Sequence, residues 1–436
     1  MAETLSGGDN EIKEGRRTDH YIWGSYIALL IISIIELFSA SSQEVSVDNI
    51  YGPIMRHGMF LAAGLLLMLL VQRMHFKRIY FLIPAYVLMS LAMMALVLAV
   101  GVNINGARRG LQVAGIMLLP AEFLKLAVAL GIAWILSRSQ IKGRRDVTTG
   151  GVVACTLLVL VSSAMLFSHG LTNTLLLMGI SIAMMLVGGV SWRKLGYVGL
   201  VYVVIGSGAM IYKAVAHKDA GPTPEDYALA EINHSEEVVS SSKGNRFGTW
   251  EERIRRHLRL NKSADPITDE NKQEQLSYIA QAHGGLTGVG IGRSRETARL
   301  PLAFSDYIYA IVVEELGAVV AIFVLALYLF LLGRAGRLAM VFKSTLPCLL
   351  VIGCALVICI QALFHICIVV GVFPVSGQPL PLISKGGTSI IATSLALGVM
   401  LSASRWAART TDGEDTYRRE LSTLPESAAT VNPSQI

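Results

Sequence analysis

The sequence predicts an all-α fold: a polytopic integral membrane protein with ten transmembrane helices and a large extracytoplasmic loop between spans seven and eight. Three observations predict it. The 436 residues are 53% hydrophobic and 16% charged, with a mean hydropathy of +0.55. A soluble domain carries about a quarter charged residues. The apolar residues gather into blocks of about 20, the length that crosses a bilayer as a helix. Lys and Arg cluster in alternate short loops, the pattern that keeps basic loops in the cytoplasm.

The ten blocks centre on 22–40, 58–72, 79–101, 119–136, 149–167, 171–190, 195–214, 307–333, 346–372 and 387–404. Lys13, Arg16 and Arg17 precede the first. Arg73, Lys77 and Arg78 separate the second from the third, and Arg138, Lys142, Arg144 and Arg145 follow the fourth. Arg193 and Lys194 lie between the sixth and seventh, Arg334, Arg337 and Lys343 follow the eighth, and Arg405, Arg409, Arg418 and Arg419 follow the tenth. With ten spans all of these fall on one side, which places both termini in the cytoplasm. The chain then divides into a cytoplasmic tail, 1–20, a membrane domain, 21–407, and a second cytoplasmic tail, 408–436. No cleavable signal is expected, because the first twenty residues are polar and the first apolar block is too long for one.

The external loop, 215–304, is rich in Glu, Lys, Arg, Ser and Gly. Its piece TWEERIRRHLRL, 249–260, has helical spacing and a basic face, suited either to a membrane surface or to water. Asn233 and Asn261 head tripeptides that match glycosylation sequons, a pattern that also arises by chance. The net charge of +6 follows from the basic loops and excludes a nucleic-acid footprint. Cys155, Cys348, Cys354, Cys359 and Cys367 all lie in apolar blocks, with no His at metal-ligand spacing, and read as small core residues. No metal site is expected, and no internal repeat of the transporter type is visible.

Ionisable residues inside spans are costly and mark function or internal pairing. Glu122 and Lys125 in PAEFLKL sit three apart, on one helix face. They form either a staple between helices or the charged lining of a cavity. LPLAFSDYIYAIVVEELG carries Asp306 at the mouth of the eighth span, with Glu314 and Glu315 inside it. Asp306 suits a helix N-cap, a solvent-reachable reacting carboxylate, or both. Glu314, about 12 Å deeper, is too far to form a glycosidase-type pair with it. Glu314 and Glu315 therefore read as a separate buried set, paired with Lys or Arg. The upstream run GGLTGVGIGRSR, with Arg293 and Arg295, is either a phosphate-approaching loop or a hinge. His283 and His365 read as structural.

In order, four segments resemble the shape, elongation, division and sporulation (SEDS) family, that is, FtsW, RodA and SpoVE. They are NGARRGLQV, LPAEFLKLA, GGLTGVGIGRSRETARLPLAFSDYIYAIVVEELG and GQPLPLISKGGTS. The resemblance covers all ten spans. The RFGTWEERI stretch and the overall length are more similar to the division branch, FtsW, than to RodA.

The resemblance implies an inverting peptidoglycan glycosyltransferase that polymerises lipid II, a disaccharide-pentapeptide on undecaprenyl pyrophosphate. It makes Asp306 the catalytic base that accepts the proton of the acceptor sugar hydroxyl. It makes Arg109, Glu122 and Lys125 substrate-binding residues; Arg293, Ser384, Lys385 and Gly386 join them as further candidates, with Glu314 and Glu315 as a charge network. The pyrophosphate leaving group needs cations, met by arginine and lysine or by a divalent ion, Mg or Mn. The implied partners are a class B penicillin-binding protein and other division proteins, and the implied location is the bacterial inner membrane at the division site. Several positions depart from the family pattern: Gly110, Leu119, Ala121, Leu302, Phe304 and Lys385. The alternatives are a lipid II flippase that uses the buried charges as its polar path, and a non-catalytic scaffold of the division machinery.

Overall fold

The computed structural model describes residues 18–44, 52–104, 107–113, 116–141, 146–167, 170–218, 267–268, 271–300, 303–342 and 344–407. The sequons at Asn233 and Asn261, the 249–260 piece, Leu302, residues 1–17 of the first tail and the whole second tail lie outside them. Among the described residues eleven helices run in order: α1 (His20–Glu44), α2 (Gly52–Arg73), α3 (Phe76–Val100), α4 (Pro120–Arg138), α5 (Thr149–Phe167), α6 (Leu171–Val187), α7 (Trp192–Lys218), α8 (Lys272–Gly284), α9 (Ile308–Val341), α10 (Thr345–Val369) and α11 (Gly387–Ala407). Each of the ten apolar blocks falls on one of them; α8 belongs to the external loop. Eight helices, α1 to α5 and α9 to α11, are long and apolar enough to cross a membrane. The chain is a multi-pass membrane protein. α6 is apolar but shorter, 17 residues, and α7 opens on the charged pair Arg193 and Lys194.

The bundle is ordered by which helices are sheathed in others. In α4 and α11, 83% of the spanning residues are buried, and in α10 78%; in α2 and α3 the shares are 28% and 22%. α4, α10 and α11 are therefore the centre. α4 starts with Pro120 at its first turn and Glu122 beside it, and ends on Arg138, an arrangement that suits both the proline and the helix dipole. Helix ends that carry basic loops meet one another. Asp19, before α1, accepts two bonds from Arg334 near the end of α9, at 2.5 and 2.7 Å. Asp146 pairs with Lys194 at 2.7 Å, and the Ser402 hydroxyl donates to the Met74 carbonyl at 2.6 Å. The starts of α2, α4, α9 and α11 lie at the opposite end, where the site is built.

Two features depart from the sequence reading. Residues 102–118 form a small antiparallel meander, β1 (Val102–Ile104), β2 (Ala107–Val113) and β3 (Ile116–Leu118), in the order β1-β2-β3. Second, α9 is not one continuous helix. Gly317 has φ 85° and ψ 167°, so a short half-helix, 308–316, precedes the long one. Only glycine adopts that backbone without strain.

Candidate active site

The glycine-rich run is a latch against this break. The half-helix 308–316 leaves its last carbonyls without helical partners, as every helix end does. The loop supplies them: Val289 N–H donates to the Glu314 carbonyl at 2.9 Å and Gly290 N–H to the Glu315 carbonyl at 3.0 Å. In return Ala318 N–H donates to Gly285 at 3.0 Å. Backbone packs directly on backbone here. A Cβ at Gly284 would meet the Val313 carbonyl, one at Gly288 the Glu315 carbonyl, and one at Gly317 the Leu286 carbonyl. These glycines are spent on close packing and turning, with φ of 54° at Gly285 and 78° at Gly288. That leaves neither a phosphate cradle nor a free hinge.

The same latch uses Glu314 and Glu315. Both are buried, with side chains turned to the loop. Glu314 accepts from the Ser294 hydroxyl and from Arg295 N–H at 3.1 Å. Glu315 accepts from the Ser39 hydroxyl of α1 and from Gly292 N–H at 3.0 Å. The expected Lys or Arg partners are therefore replaced by amides and hydroxyls. Glu314 Oε1 also lies 3.8 Å from Nδ1 of the half-exposed His283. Arg293 is exposed on the outside of the loop.

Glu122 and Lys125 form a closed staple. Lys125 is fully buried, and its Nζ lies 2.8 Å from Glu122 Oε1 and 2.8 Å from Gln361 Oε1. Gln361 of α10 returns a bond from Nε2 to Glu122 Oε2 at 3.1 Å, and a second to the Pro379 carbonyl at 3.2 Å. Every strong donor and acceptor of the triad is taken up inside the protein. Of the two readings of this pair, the geometry fits the staple. Gln361 was not singled out by the sequence; its only signal was an amide inside an apolar block.

The staple holds the 374–386 segment. Its carbonyls are gripped one after another: Gln378 by His365 Nδ1 at 2.6 Å, Pro379 by Gln361, and Pro381 by the Tyr328 hydroxyl at 2.5 Å. Ser384 is buried; its hydroxyl donates to the Ser305 carbonyl and accepts from Leu380 N–H, each at 2.7 Å. Lys385 N–H donates to the Phe304 carbonyl at 2.8 Å. The segment is thereby clamped to residues 304–306. Asp306 is half-buried and accepts from the Ser305 hydroxyl at 2.8 Å. Gly377 lies so close that a Cβ there would come 2.7 Å from Asp306 Oδ2. The N-cap of α9 is Tyr307, so Asp306 is not the cap.

Beside Asp306 opens a cavity of about 680 Å³, within the usual range for small-molecule sites. Its walls include Ser305, Phe304, Leu119 and Thr388, and its charged residues are Arg56, Arg299 and Lys385, with His57 between helices. None of its wall residues is Asp or Glu. The N-terminal turn of α11 also faces it through Gly386 and Gly387, adding the positive end of a helix. The structure thus brings Lys385 and Gly386 to the cavity, with Asp306 at its edge. It places Glu122, Lys125, Glu314, Glu315 and Ser384 in the scaffold behind. Arg109 lies on β2, with its side chain outside the described residues. Arg56, His57 and Arg299 were missed; an Arg-His pair at the start of an apolar block was the available signal. Among the described residues no three His, Cys, Asp or Glu side chains converge to hold a metal ion. Arg56, Arg299 and Lys385 are cationic side chains placed to meet an anion in the cavity.

Comparison with known proteins places this arrangement. The model of the cell cycle protein family of FtsW, RodA and SpoVE matches residues 19–409. The probable peptidoglycan glycosyltransferase FtsW of Halomonas elongata is 29% identical over 399 residues, covering 88% of this chain and 90% of that protein. The stage V sporulation protein E of Bacillus subtilis is 26% identical over 386 residues, covering 87% and 95%. Among solved structures, a chain from a study of how a peptidoglycan synthase complex coordinates polymerization and crosslinking has a TM-score of 0.61 at 24% identity. It covers 89% of this chain and 98% of that one. The rod shape determining protein RodA of Thermus thermophilus has a TM-score of 0.58 at 24% identity, covering 89% and 97%. Both structures share the fold.

Proposed function

The chain belongs to the cell cycle protein family of FtsW, RodA and SpoVE, and from that premise we propose that it is a peptidoglycan glycosyltransferase polymerising lipid II. Relatives across the whole chain carry that activity in their names. The observation that supports it most is local. One half-buried carboxylate, Asp306, directly follows and accepts from Ser305, a wall residue of a cavity whose charged wall residues are all cationic. That pairing suits a transfer in which a hydroxyl loses a proton and a diphosphate leaves.

The acceptor hydroxyl attacks the anomeric carbon of the donor as the bond from that carbon to the diphosphate oxygen breaks. Asp306 takes the hydroxyl proton. The negative charge gathering on the leaving diphosphate is met by Lys385, Arg56, Arg299 and the α11 N-terminus. Inversion needs one base and no covalent intermediate. Ser384 and the 377–381 carbonyl grips hold Asp306 and Lys385 at fixed separation, so their part is positioning. The protein then sits in the cytoplasmic membrane with both termini inside, at the division site. The solved synthase complex supports a crosslinking partner, and the family resemblance makes that partner a class B penicillin-binding protein.

The test is polymerisation of labelled lipid II by the purified chain with its penicillin-binding partner, wild type against Asp306→Asn. Strands from wild type and none from a folded Asp306→Asn protein are expected. Equal strands from both would remove Asp306 from the chemistry. Lipid II scrambling without strands would replace the polymerase with a flippase.

A further inference from the structure

Glu36 is a buried carboxyl group that the polymerase chemistry leaves unused. It lies mid-way along α1, 1% exposed, and neither carboxylate oxygen has a hydrogen-bond partner among the described residues. Ser39, one turn further on the same face, bonds Glu315 of α9. That spacing puts Glu36 on the side of α1 that meets Glu315. Glu315 is equally buried and accepts from two neutral donors, the Ser39 hydroxyl and the Gly292 amide. The half-helix 308–316 ends directly after it, adding the negative end of a helix dipole. Two carboxyl groups and a helix C-terminus thus converge at span depth without a paired Lys or Arg among the described residues.

The other charged groups around α1 are committed elsewhere. From α2, His57 bonds Ser33, one turn before Glu36, at 3.1 Å, with Lys385 on its far side. From α9, Glu314 turns away to the loop. Asp19 and Arg334 pair at the opposite end of α1. No third His, Cys, Asp or Glu joins to make a metal-holding group among the described residues, which suits a single charge and not a divalent cage. Charged groups at this depth pair or bind ions. A broken helix that turns its C-terminal end toward carboxylates is a recurrent way of holding Na⁺ or H⁺ in membranes.

We propose that Glu36, Glu315 and Ser39 wall an intramembrane site for one small monovalent cation, a sodium ion or a proton. Its occupant ties α1 to the half-helix on which the glycine-rich loop is latched. The far end of that loop, Thr297–Leu300, is a wall of the cavity, so occupancy sets how firmly that wall is held. The site stands whether or not the chain is a polymerase, and its test reads stability alone.

The test follows thermal unfolding of the purified full-length chain in nanodiscs. One titration replaces choline chloride with sodium chloride at fixed pH and ionic strength. A second varies pH in choline chloride. The wild-type midpoint is expected to rise with sodium if the occupant is the metal ion, or to move with pH if it is the proton. Glu36→Gln, which removes the charge and keeps the shape, flattens that dependence. Ser39→Ala, which keeps both charges, moves the sodium or proton titration by about tenfold in apparent affinity by linkage. It also decides the question if Glu36→Gln does not fold. Wild-type midpoints that are flat in both titrations overturn the proposal. So do wild-type and Glu36→Gln curves that run parallel in both.

Discussion

Replacing Lys125 separates a scaffold charge from a substrate-binding one. Lys125→Met keeps the length of the side chain and removes its charge. The lysine is fully buried, and the Glu122 side chain is 9% exposed. Without Lys125, Glu122 becomes a buried carboxylate with no cation beside it, and the Gln361 carbonyl loses its ammonium donor. Breaking a buried pair by removing one partner costs roughly 3–5 kcal/mol. At about 2 °C per kcal/mol for a large domain, that is a fall of roughly 6–10 °C in melting temperature. The double variant Glu122→Gln/Lys125→Met leaves no buried charge. It is expected to recover most of the loss, a coupling of about 2–3 kcal/mol. The assay is thermal unfolding in detergent, read beside polymerisation rates at saturating and limiting lipid II. Lys125→Met with wild-type melting and a raised KM would refute the staple and return Lys125 to the substrate.

Three further outcomes are expected. Gly317→Ala puts a Cβ against the Leu286 and Gly288 backbone, which cannot swing aside, and adds about 1–3 kcal/mol of backbone strain. Lower melting and faster proteolysis between 284 and 300 are expected; an unchanged protein would refute the latch. Lys385→Ala, at a half-buried cavity position, removes one charge-assisted contact of about 1.5–3 kcal/mol. That predicts roughly tenfold to hundredfold lower kcat/KM with melting unchanged, and wild-type kinetics would remove Lys385 from the site. Burial pushes the Asp146 carboxyl up, but the Lys194 ammonium and the amides of Val147 and Ser191 outweigh it and hold it below its usual value. A depressed folded pKa stabilises above the unfolded value of about 3.9 and is lost as pH falls through the folded one. Wild type should lose this increment on acidification, and Lys194→Ala should lack it at neutral pH. Parallel pH–melting curves for the two would count against the pin.

What the sequence could and could not show follows from the range of each interaction. The ten apolar blocks were readable because hydrocarbon demands long uninterrupted runs, a local constraint. The sheet at 102–118 had a local signal as well, Asn105-Gly106 between alternating residues, overshadowed by the flanking spans. Partners were the hidden part. Lys125 meets Gln361 across 236 positions, and Ser384 meets Ser305 across 79. No spacing rule reaches so far. Glu314 and Glu315 read as buried carboxyl groups, which they are, but all but one of the donors named above come from a loop whose glycines looked like phosphate ligands. Glu36 was in plain view in the first block, and the neighbouring Ser39 contact that gives it meaning lies on another helix.

The division of labour among the charges also weighs between polymerase and transporter. A polar path needs groups that can release one partner and take another. Glu122 and Lys125 are locked to each other and to Gln361, which also holds the Pro379 carbonyl. Glu314 and Glu315 are locked to the loop that closes the break in α9. The Glu122–Lys125–Gln361 set holds the 377–386 segment that presents Lys385, through the Pro379 carbonyl, and Glu314 and Glu315 hold the loop that leads to Asp306. Charges used this way fix a geometry within tenths of an ångström, which a transferase needs and a moving carrier would have to break on every cycle. The weight of the arrangement falls on a rigid mouth, where one carboxylate and a cationic cavity are backed by the Glu122–Lys125 pair and by the hydrogen-bonded latch at Glu314 and Glu315.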